Sequence, residues 1–264
     1  TDGNTIAAID EGELLFLTST TTDPTTGAYS FTSLPVLGEN QFYLVKEADA
    51  LPGDWIQSFP DPNQHIIDTS SEADSLGNDF GNYELGKISG TKFEDLDGLS
   101  STTNDRSGTV EGVTIYLFKG GVLVTSTETG SDGTYTFSDL DPGTYRVSET
   151  ADLGDDEAGD PTTITVGDQT WIAVDDDTAS DAITLTSGES EEDHDFFNYQ
   201  TGSISGTKFK DDNGNTEGGT TTPLAGVTIY LFKLVAGSYV NTGLTAETGS
   251  DGTYTFSDLD PGTY

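Results

Sequence analysis

Cysteine is absent from this chain of 264 residues, and basic residues are scarce. Without cysteine no disulfide can hold the fold together, although the absence does not indicate the redox compartment. Nine Lys and Arg stand against 47 Asp and Glu, which gives a formal net charge of -38. This excess of acid excludes nucleic-acid binding, which depends on Lys and Arg, and it disfavours attraction to anionic lipid.

Long apolar runs are missing as well. No stretch reaches the length that spans a bilayer, and no basic N-terminal start is followed by an apolar segment like that of a signal peptide. We therefore expect no membrane insertion within this segment. The acid excess itself has three readings that can coexist: bound cations, solvation in high salt, or simple solubility.

Internal repetition is the strongest feature that is present. The string ETGSDGTYTFSDLDPGTY occurs unchanged at 128–145 and 247–264, and GKISGTKF and GSISGTKF precede it in the two copies. The spacing of about 115 residues predicts one whole small domain per copy. An earlier copy is marked by GAYSF and NDFGNYELGK. We place the module boundaries at 1–86, 87–201 and 202–264.

The first copy lacks its opening strands, and the third copy stops in mid-module. Because a half-module would expose strand edges and core side chains, we expect a window from a longer array or a segment completed by neighbouring chains. Nothing in this arrangement suggests a self-contained enzyme.

The coarse structural prediction is all-β. Short segments rich in β-branched and aromatic residues, such as VTIYLF, TYTF, TYRVSE and WIAV, are separated by Gly, Asp, Pro and Ser. Their density is typical of a β-sandwich. Tyr135 and Phe137, like Tyr254 and Phe256, are two residues apart and should point into the core, while the Thr residues between them face water.

Several motifs recur in one order: GTKFEDLDG or GTKFKDDNGN, then GVTIYLF, GSDGTYTFSDLDPGTYRV and ITLTSGESEEDHDFFNY. Together they resemble the SdrD B-like repeats of bacterial surface proteins, which belong with the Cna B-type, prealbumin-like sandwiches. The resemblance spans copy two, the first half of copy three and the second half of copy one. It implies tandem Ig-like or prealbumin-like modules in a linear array, secreted or on a cell surface, and it implies calcium (Ca²⁺) binding.

Acidic turns supply candidate calcium ligands. Calcium takes about six to eight oxygens, often from alternate positions of a tight loop. Asp211, Asn213 and Asn215 have that spacing, with Glu217 beyond them, and copy two keeps Asp95 and Asp97. The other candidates lie in the repeated turns: Asp132, Asp139, Asp141, Asp251, Asp258 and Asp260. The alternative is that Asp is simply a favoured turn residue in an acidic protein.

A covalent crosslink is a second candidate. In related Cna B-type domains a Lys of the first strand forms an amide with an Asn or Asp of the last strand, and a buried Glu assists proton transfer. The resemblance gives these roles to Lys92, Asn198 and Glu149, and Lys208 repeats the first. Strand parity does not decide which way the Lys92 side chain points. It points inward if Ile88 does, but outward if Phe93 is the core residue. A surface lysine paired with acids is the alternative that the pattern favours.

The predicted function is architectural and non-catalytic: calcium-stiffened sandwiches form a stalk or filament, with neighbouring modules or copies of the same chain as partners. The alternative is an adhesin that binds a host, matrix or glycan ligand through loops in the unmatched stretches 100–109 or 152–167. Identity of the turns between copies favours the architectural reading. The many exposed Ser and Thr residues are compatible with attached O-linked glycans.

Overall fold

The structure is a computed structural model that describes residues 15–37, 41–48, 54–67, 74–98, 106–153, 163–174, 179–211, 214 and 221–264. The regular structure in these ranges is strand, as the sequence predicts, and none of their residues forms an α-helix. Accordingly, no described helix is long and apolar enough to cross a membrane.

Two compact units divide the chain, the first within Thr1–Ala50 and Ser58–Gly81, the second within Leu51–Gln57 and Asn82–Tyr264. The strands of the N-terminal residues are short: β1 (Tyr43–Val45), β2 (Trp55–Phe59), β3 (His65–Ile67) and β4 (Gly81–Glu84). Strand β1 pairs with β3, and β2 pairs with β4.

The strands between residues 86 and 199 build a β-sandwich. They are β5 (Gly86–Asp95), β6 (Arg106–Thr109), β7 (Thr114–Lys119), β8 (Val122–Glu128), β9 (Thr134–Leu140), β10 (Gly143–Ser148), β11 (Thr163–Val166), β12 (Gln169–Ala173), β13 (Ile183–Leu185), β14 (Ser190–Glu191) and β15 (Phe196–Tyr199). One sheet has the order β13-β10-β7-β8. The other has the order β11-β12-β15-β5-β14, and β6 and β9 also pair with β5.

Alternation along the strands places the core between these sheets. Tyr135 and Phe137 of β9 are buried and the threonines before each are exposed, which confirms the prediction from their spacing. They pack in one cluster with Ile115 and Leu117 of β7, in the facing sheet, and with Trp171 of β12. Both sheets therefore contribute branched and aromatic side chains to a single core.

Strand β15 lies parallel beside β5, with Phe196 opposite Lys92 and Asn198 opposite Glu94. The first and last strands of the repeat are therefore neighbours in one sheet. Phe93 of β5 stacks on Phe197 of β15, with ring centroids 5.5 Å apart and an interplanar angle of 5°. Since neighbouring residues of a strand point to opposite faces, this stack lies on the face away from Lys92.

The remaining strands repeat part of this pattern. They are β16 (Gly202–Thr207), β17 (Phe209–Asp211), β18 (Thr221–Pro223), β19 (Thr228–Val235), β20 (Ser238–Glu247) and β21 (Thr253–Leu259). Ile204 of β16 pairs with Phe256 of β21 as Ile88 pairs with Phe137, and both ladders carry a register shift just before the isoleucine. Identical motifs thus fold in an identical register.

Candidate functional site: a buried lysine, glutamate and asparagine

Lys92 lies on β5 and is fully buried, with an exposed fraction of 0%. Ile88 on the same strand is also fully buried, so the two residues share the inward face, as the parity argument from Ile88 requires. Phe93 lies on the other face, where it stacks on Phe197. The surface-lysine alternative therefore does not apply to Lys92.

Glu149 and Asn198 reach Lys92 from two other segments of the chain. Glu149 directly follows β10 and is 4% exposed, and Asn198 on β15 is 0% exposed. The Nζ atom of Lys92 lies 2.5 Å from Oδ1 of Asn198 and 3.2 Å from Oε1 of Glu149. Because Phe196 sits opposite Lys92, Asn198 two residues later returns to the same face of the sheet. The structure thus brings together the three residues that the resemblance singled out.

The amide nitrogen of Asn198 stands out within this group. Oδ1 accepts a hydrogen bond from Lys92, whereas Nδ2 has no hydrogen-bond partner among the described residues. A buried polar group left without a partner costs about 1–3 kcal/mol. The fold therefore holds the carbonyl side of this carboxamide and leaves its nitrogen unsupported.

Burial increases the neutral fraction of the Lys92 amine. Burial lowers the pKa of Lys92 from 10.5 to about 8, because the ammonium loses its hydration. The attraction and hydrogen bond of Glu149, and the charge of Asp95, oppose this shift. With a pKa of about 8, roughly a tenth of the side chain is neutral at pH 7. The neutral amine is the nucleophilic form, so this site has the components of an acyl transfer: nucleophile, carboxamide and proton carrier.

A cavity of about 330 Å³ adjoins the site on the side of Glu149. Besides Glu149, its walls include Val113, just before β7, Tyr116 on β7, and Ile164 and Val166 on β11 of the other sheet. A space of this size holds several water molecules. Glu149 is the member of the buried group that lines it.

The predicted calcium ligands in the GSDG turns accept hydrogen bonds from residues of the same turn. Oδ1 of Asp132 accepts hydrogen bonds from N and Oγ1 of Thr134, at 3.0 and 2.7 Å. Asp251 does the same with Thr253, at 3.0 and 2.6 Å. The hydroxyl bond is the larger cause, and the backbone bond the next, of a lowered pKa in each aspartate.

Asp95 and Asp211 are also in local hydrogen bonds. Oδ1 of Asp95 accepts from the backbone N of Asp97 and Gly98, and Oδ1 of Asp211 accepts from N of Gly214. Three of the predicted ligands lie outside the described residues: Asn213, Asn215 and Glu217.

Asp139 and Asp258 take left-handed backbone conformations, with φ of 56° and 55°, and accept hydrogen bonds from the preceding serines. In the part of the chain that the structure describes, no group of three or more acidic or histidine side chains is placed to hold an ion. Calcium binding therefore stays a prediction.

The adhesive alternative and the second lysine concern other parts of the chain. The stretches 100–109 and 152–167, in which the adhesive alternative places a ligand, lie largely outside the described residues. Adhesion stays a prediction. Lys208, the counterpart of Lys92, is exposed on the segment between β16 and β17.

Sequence reasoning missed one set of contacts at the predicted turns. The hydroxyl of Tyr83 donates to Oδ1 of Asp141 at 2.6 Å, and the hydroxyl of Tyr199 donates to Oδ1 of Asp260 at 3.2 Å. Both tyrosines follow an Asn and both aspartates precede Pro-Gly, so the repeats marked each partner. Only the tertiary structure pairs them.

A family model matches part of this chain. Residues 81–178 match the model of the SpaA prealbumin-like fold domain. No curated protein matches the chain. Similar solved structures include the Bacillus anthracis TIE protein, at 20% identity and a TM-score of 0.34, with 82% of this chain and 34% of that chain covered.

Two further solved structures show the same level of similarity. A streptococcal ancillary pilin is 14% identical at a TM-score of 0.32, over 75% of this chain and 58% of the pilin. A single B repeat of the Staphylococcus aureus collagen-binding surface protein is 20% identical at a TM-score of 0.21, over 67% of this chain and 78% of the repeat. The chain thus spans less than two thirds of the length of the Bacillus and streptococcal proteins. Residues 81–178 of this chain are a prealbumin-like domain, as the resemblance to Cna B-type repeats implied.

Proposed function

We propose that this chain is a non-catalytic structural segment of an extracellular, cell-surface stalk or fibre, in which an amide bond between Lys92 and Asn198 closes the module. The observation that carries the proposal is the fully buried Nζ of Lys92, 2.5 Å from Oδ1 of Asn198 and 3.2 Å from Oε1 of Glu149. The tandem copies and the prealbumin-like domain support the architectural role.

The proposed reaction is a transamidation within one chain. The neutral Nζ of Lys92 attacks Cγ of Asn198, so that the Nζ–Cγ bond forms and the Cγ–Nδ2 bond breaks. Glu149 takes a proton from the attacking nitrogen and passes it to Nδ2, which leaves as ammonia. An amine and a carboxamide become one amide and one ammonia, and no cofactor is consumed. Since each chain reacts once with itself, the three residues form no catalytic centre for an external substrate.

The product removes two unfavourable features of the unlinked core. The amide carries no charge, so the desolvated amine of Lys92 disappears, and the unsupported Nδ2 of Asn198 leaves the protein. The bond also joins residues 106 positions apart. By the chain-entropy argument used for disulfides, a crosslink across about 100 residues stabilises the fold by about 4–5 kcal/mol.

Intact-mass measurement of the denatured full chain tests the amide. The mass should fall short of the sequence mass by one ammonia, and digestion should release a branched peptide that contains Lys92 and Asn198. Lys92→Met and Asn198→Ala should each restore the full mass. Lys208→Met is the matched control and should keep the deficit, because Lys208 is exposed. A full sequence mass in the unmutated, folded chain would refute the amide.

Calcium is a separate proposal for stiffness. Its support is the alternate placement of Asp95 and Asp97 at the end of β5, where Asp95 is 3% exposed. We expect calcium to raise the melting temperature of the chelated full chain, because a ligand that binds only the folded state stabilises it. Asp95→Asn should lose this rise, and Asp181→Asn, an exposed aspartate outside the predicted set, should keep it. An unchanged melting temperature at millimolar calcium would refute the calcium proposal.

A further inference from the structure

A tyrosine-to-aspartate contact recurs in the described part of the second unit. Tyr83, one residue before the end of β4, donates its hydroxyl to Oδ1 of Asp141 at 2.6 Å, and Tyr199, at the end of β15, donates to Oδ1 of Asp260 at 3.2 Å. In both cases the tyrosine follows an Asn near the end of its strand, and the aspartate lies in the next copy of the LDPG turn. The same side chains meet at two separate places in the chain.

The acceptor turn is fixed from within its own module. The backbone carbonyl of Asp141 accepts the hydroxyl of Tyr145 at 2.7 Å, and that of Asp260 accepts the hydroxyl of Tyr264 at 2.9 Å. Each aspartate is thereby held at its main chain while its carboxylate is free to accept from the preceding strand. This preorganisation lowers the entropic cost of the contact.

The connection between the tyrosine and the next module is short. Strand β15 ends at Tyr199 and β16 begins at Gly202, so Gln200 and Thr201 alone connect the strands. A connection of this length leaves little slack, and one directional bond beside it is enough to select among the remaining orientations. A hydrogen bond to a carboxylate is charge-assisted and stronger than a neutral one.

We propose that the tyrosine that ends one module docks on the LDPG aspartate of the following module, and that the pair Tyr199–Asp260 sets the angle between the modules at 87–201 and 202–264. The partner of this turn is thus the preceding module, and the aspartate acts as a junction acceptor. The proposal stands independently of the amide at Lys92. Tyr83 and Asp141 make the same kind of contact, and this hydrogen bond raises the pKa of the Tyr83 hydroxyl.

Spin-label distances across the junction test the proposal. Because the chain has no cysteine, Val122→Cys and Val240→Cys, both at exposed positions, give one label on each module of the full chain. We expect a narrow distance distribution that Tyr199→Phe and Asp260→Ala each broaden roughly twofold, because the short connection alone no longer fixes the angle. The double variant should be no broader than either single variant, since both remove one bond.

Tyr230→Phe is the matched control, because Tyr230 is an exposed tyrosine of the third module outside the junction. It should leave the distribution unchanged. Asp260→Asn keeps the size and an acceptor oxygen but loses the charge, so its distribution should be intermediate; it also serves if the alanine variant unfolds. A Tyr199→Phe distribution equal to that of Tyr230→Phe, or broadening that adds in the double variant, would overturn the proposal.

Discussion

Lys92 is the residue that an apolar core accommodates least readily. A desolvated ammonium is costly, and a single acidic neighbour recovers only part of that cost. Here burial lowers the pKa of the amine to about 8 despite the attraction of Glu149. The same burial that destabilises the charged lysine makes its neutral, reactive form accessible near neutral pH.

Replacement of Glu149 by Gln should slow amide formation by about 100-fold or more, because a positioned proton carrier contributes at least that factor. The course of ammonia loss can be followed by intact mass after cell-free synthesis of the full chain. Glu128→Gln, at an exposed position on β8, is the control and should react at the normal rate. Equal rates for both variants would show that Glu149 carries no proton in the reaction.

The lowered pKa of Lys92 also predicts a pH dependence in chains that cannot form the amide. In Asn198→Ala, the unfolded lysine titrates near 10.5 and the folded lysine near 8, so the unfolded state binds more protons between these values. The burial penalty is complete below about pH 8, and stability should rise with pH from about 8 towards 10.5.

Urea unfolding across this pH range measures the effect. The double variant Lys92→Met/Asn198→Ala removes the titrating group and is the control, because both chains share every other alkaline titration. The difference between the two chains isolates Lys92. A difference that stays constant, or that grows in favour of the double variant with rising pH, would contradict the prediction.

At the scale of elements, local pattern predicts the strands but not their partners. The β-branched and aromatic runs predict β7, β9, β10 and β12 correctly, and period-two spacing places Tyr135 and Phe137 in the core. The orientation of Lys92 could not be decided in this way, because apolar residues occupy both faces of β5. The parallel register with β15 decides it, and that register joins segments about 100 residues apart, which no local pattern encodes.

The contact between Tyr199 and Asp260 escaped prediction for the same reason. The sequence identifies the LDPG turn as a repeated, acidic bend and therefore as a candidate ion site. Whether its carboxylate meets a cation, its own backbone or a neighbouring hydroxyl depends on the tertiary placement of the preceding strand. The motif alone does not distinguish among these three contacts.

Gly90 is the glycine of β5 that has the least room for a side chain. A Cβ at this residue would overlap the backbone carbonyl of His194 and lie 2.8 Å from the hydroxyl of Tyr135, which itself donates to that carbonyl. Gly90→Ala should therefore lower the free energy of unfolding by about 3 kcal/mol, the upper part of the usual range for overpacking. Chemical denaturation of the full chain measures this value.

Gly108→Ala is the matched control on the neighbouring strand β6. Its Cβ would meet only the Glu94 side chain, at 3.5 Å, which is an ordinary contact. This variant should unfold close to the parent chain. If both variants lose the same free energy of unfolding, the loss comes from replacing any glycine in a strand. It would then not come from the close approach of the His194 backbone to Gly90.

At the scale of the whole molecule, acidity is the dominant property. A net charge of -38 on 264 residues makes self-repulsion a general term that opposes compact folding. Sodium chloride should therefore raise the melting temperature between low and physiological ionic strength, as the Debye length falls to about 8 Å. EDTA in every sample separates screening from calcium binding, and a melting temperature that falls or stays level would contradict this account.

The parallel neighbourhood of β5 and β15 has a mechanical consequence. If the module lies in a fibre as proposed, tension would enter at the start of β5 and leave at the end of β15, and the pull would shear two adjacent strands. An amide between Lys92 and Asn198 would pass that force straight from one strand to the other. The residues between them would then bear no load, and the fibre could not be lengthened by unravelling the module.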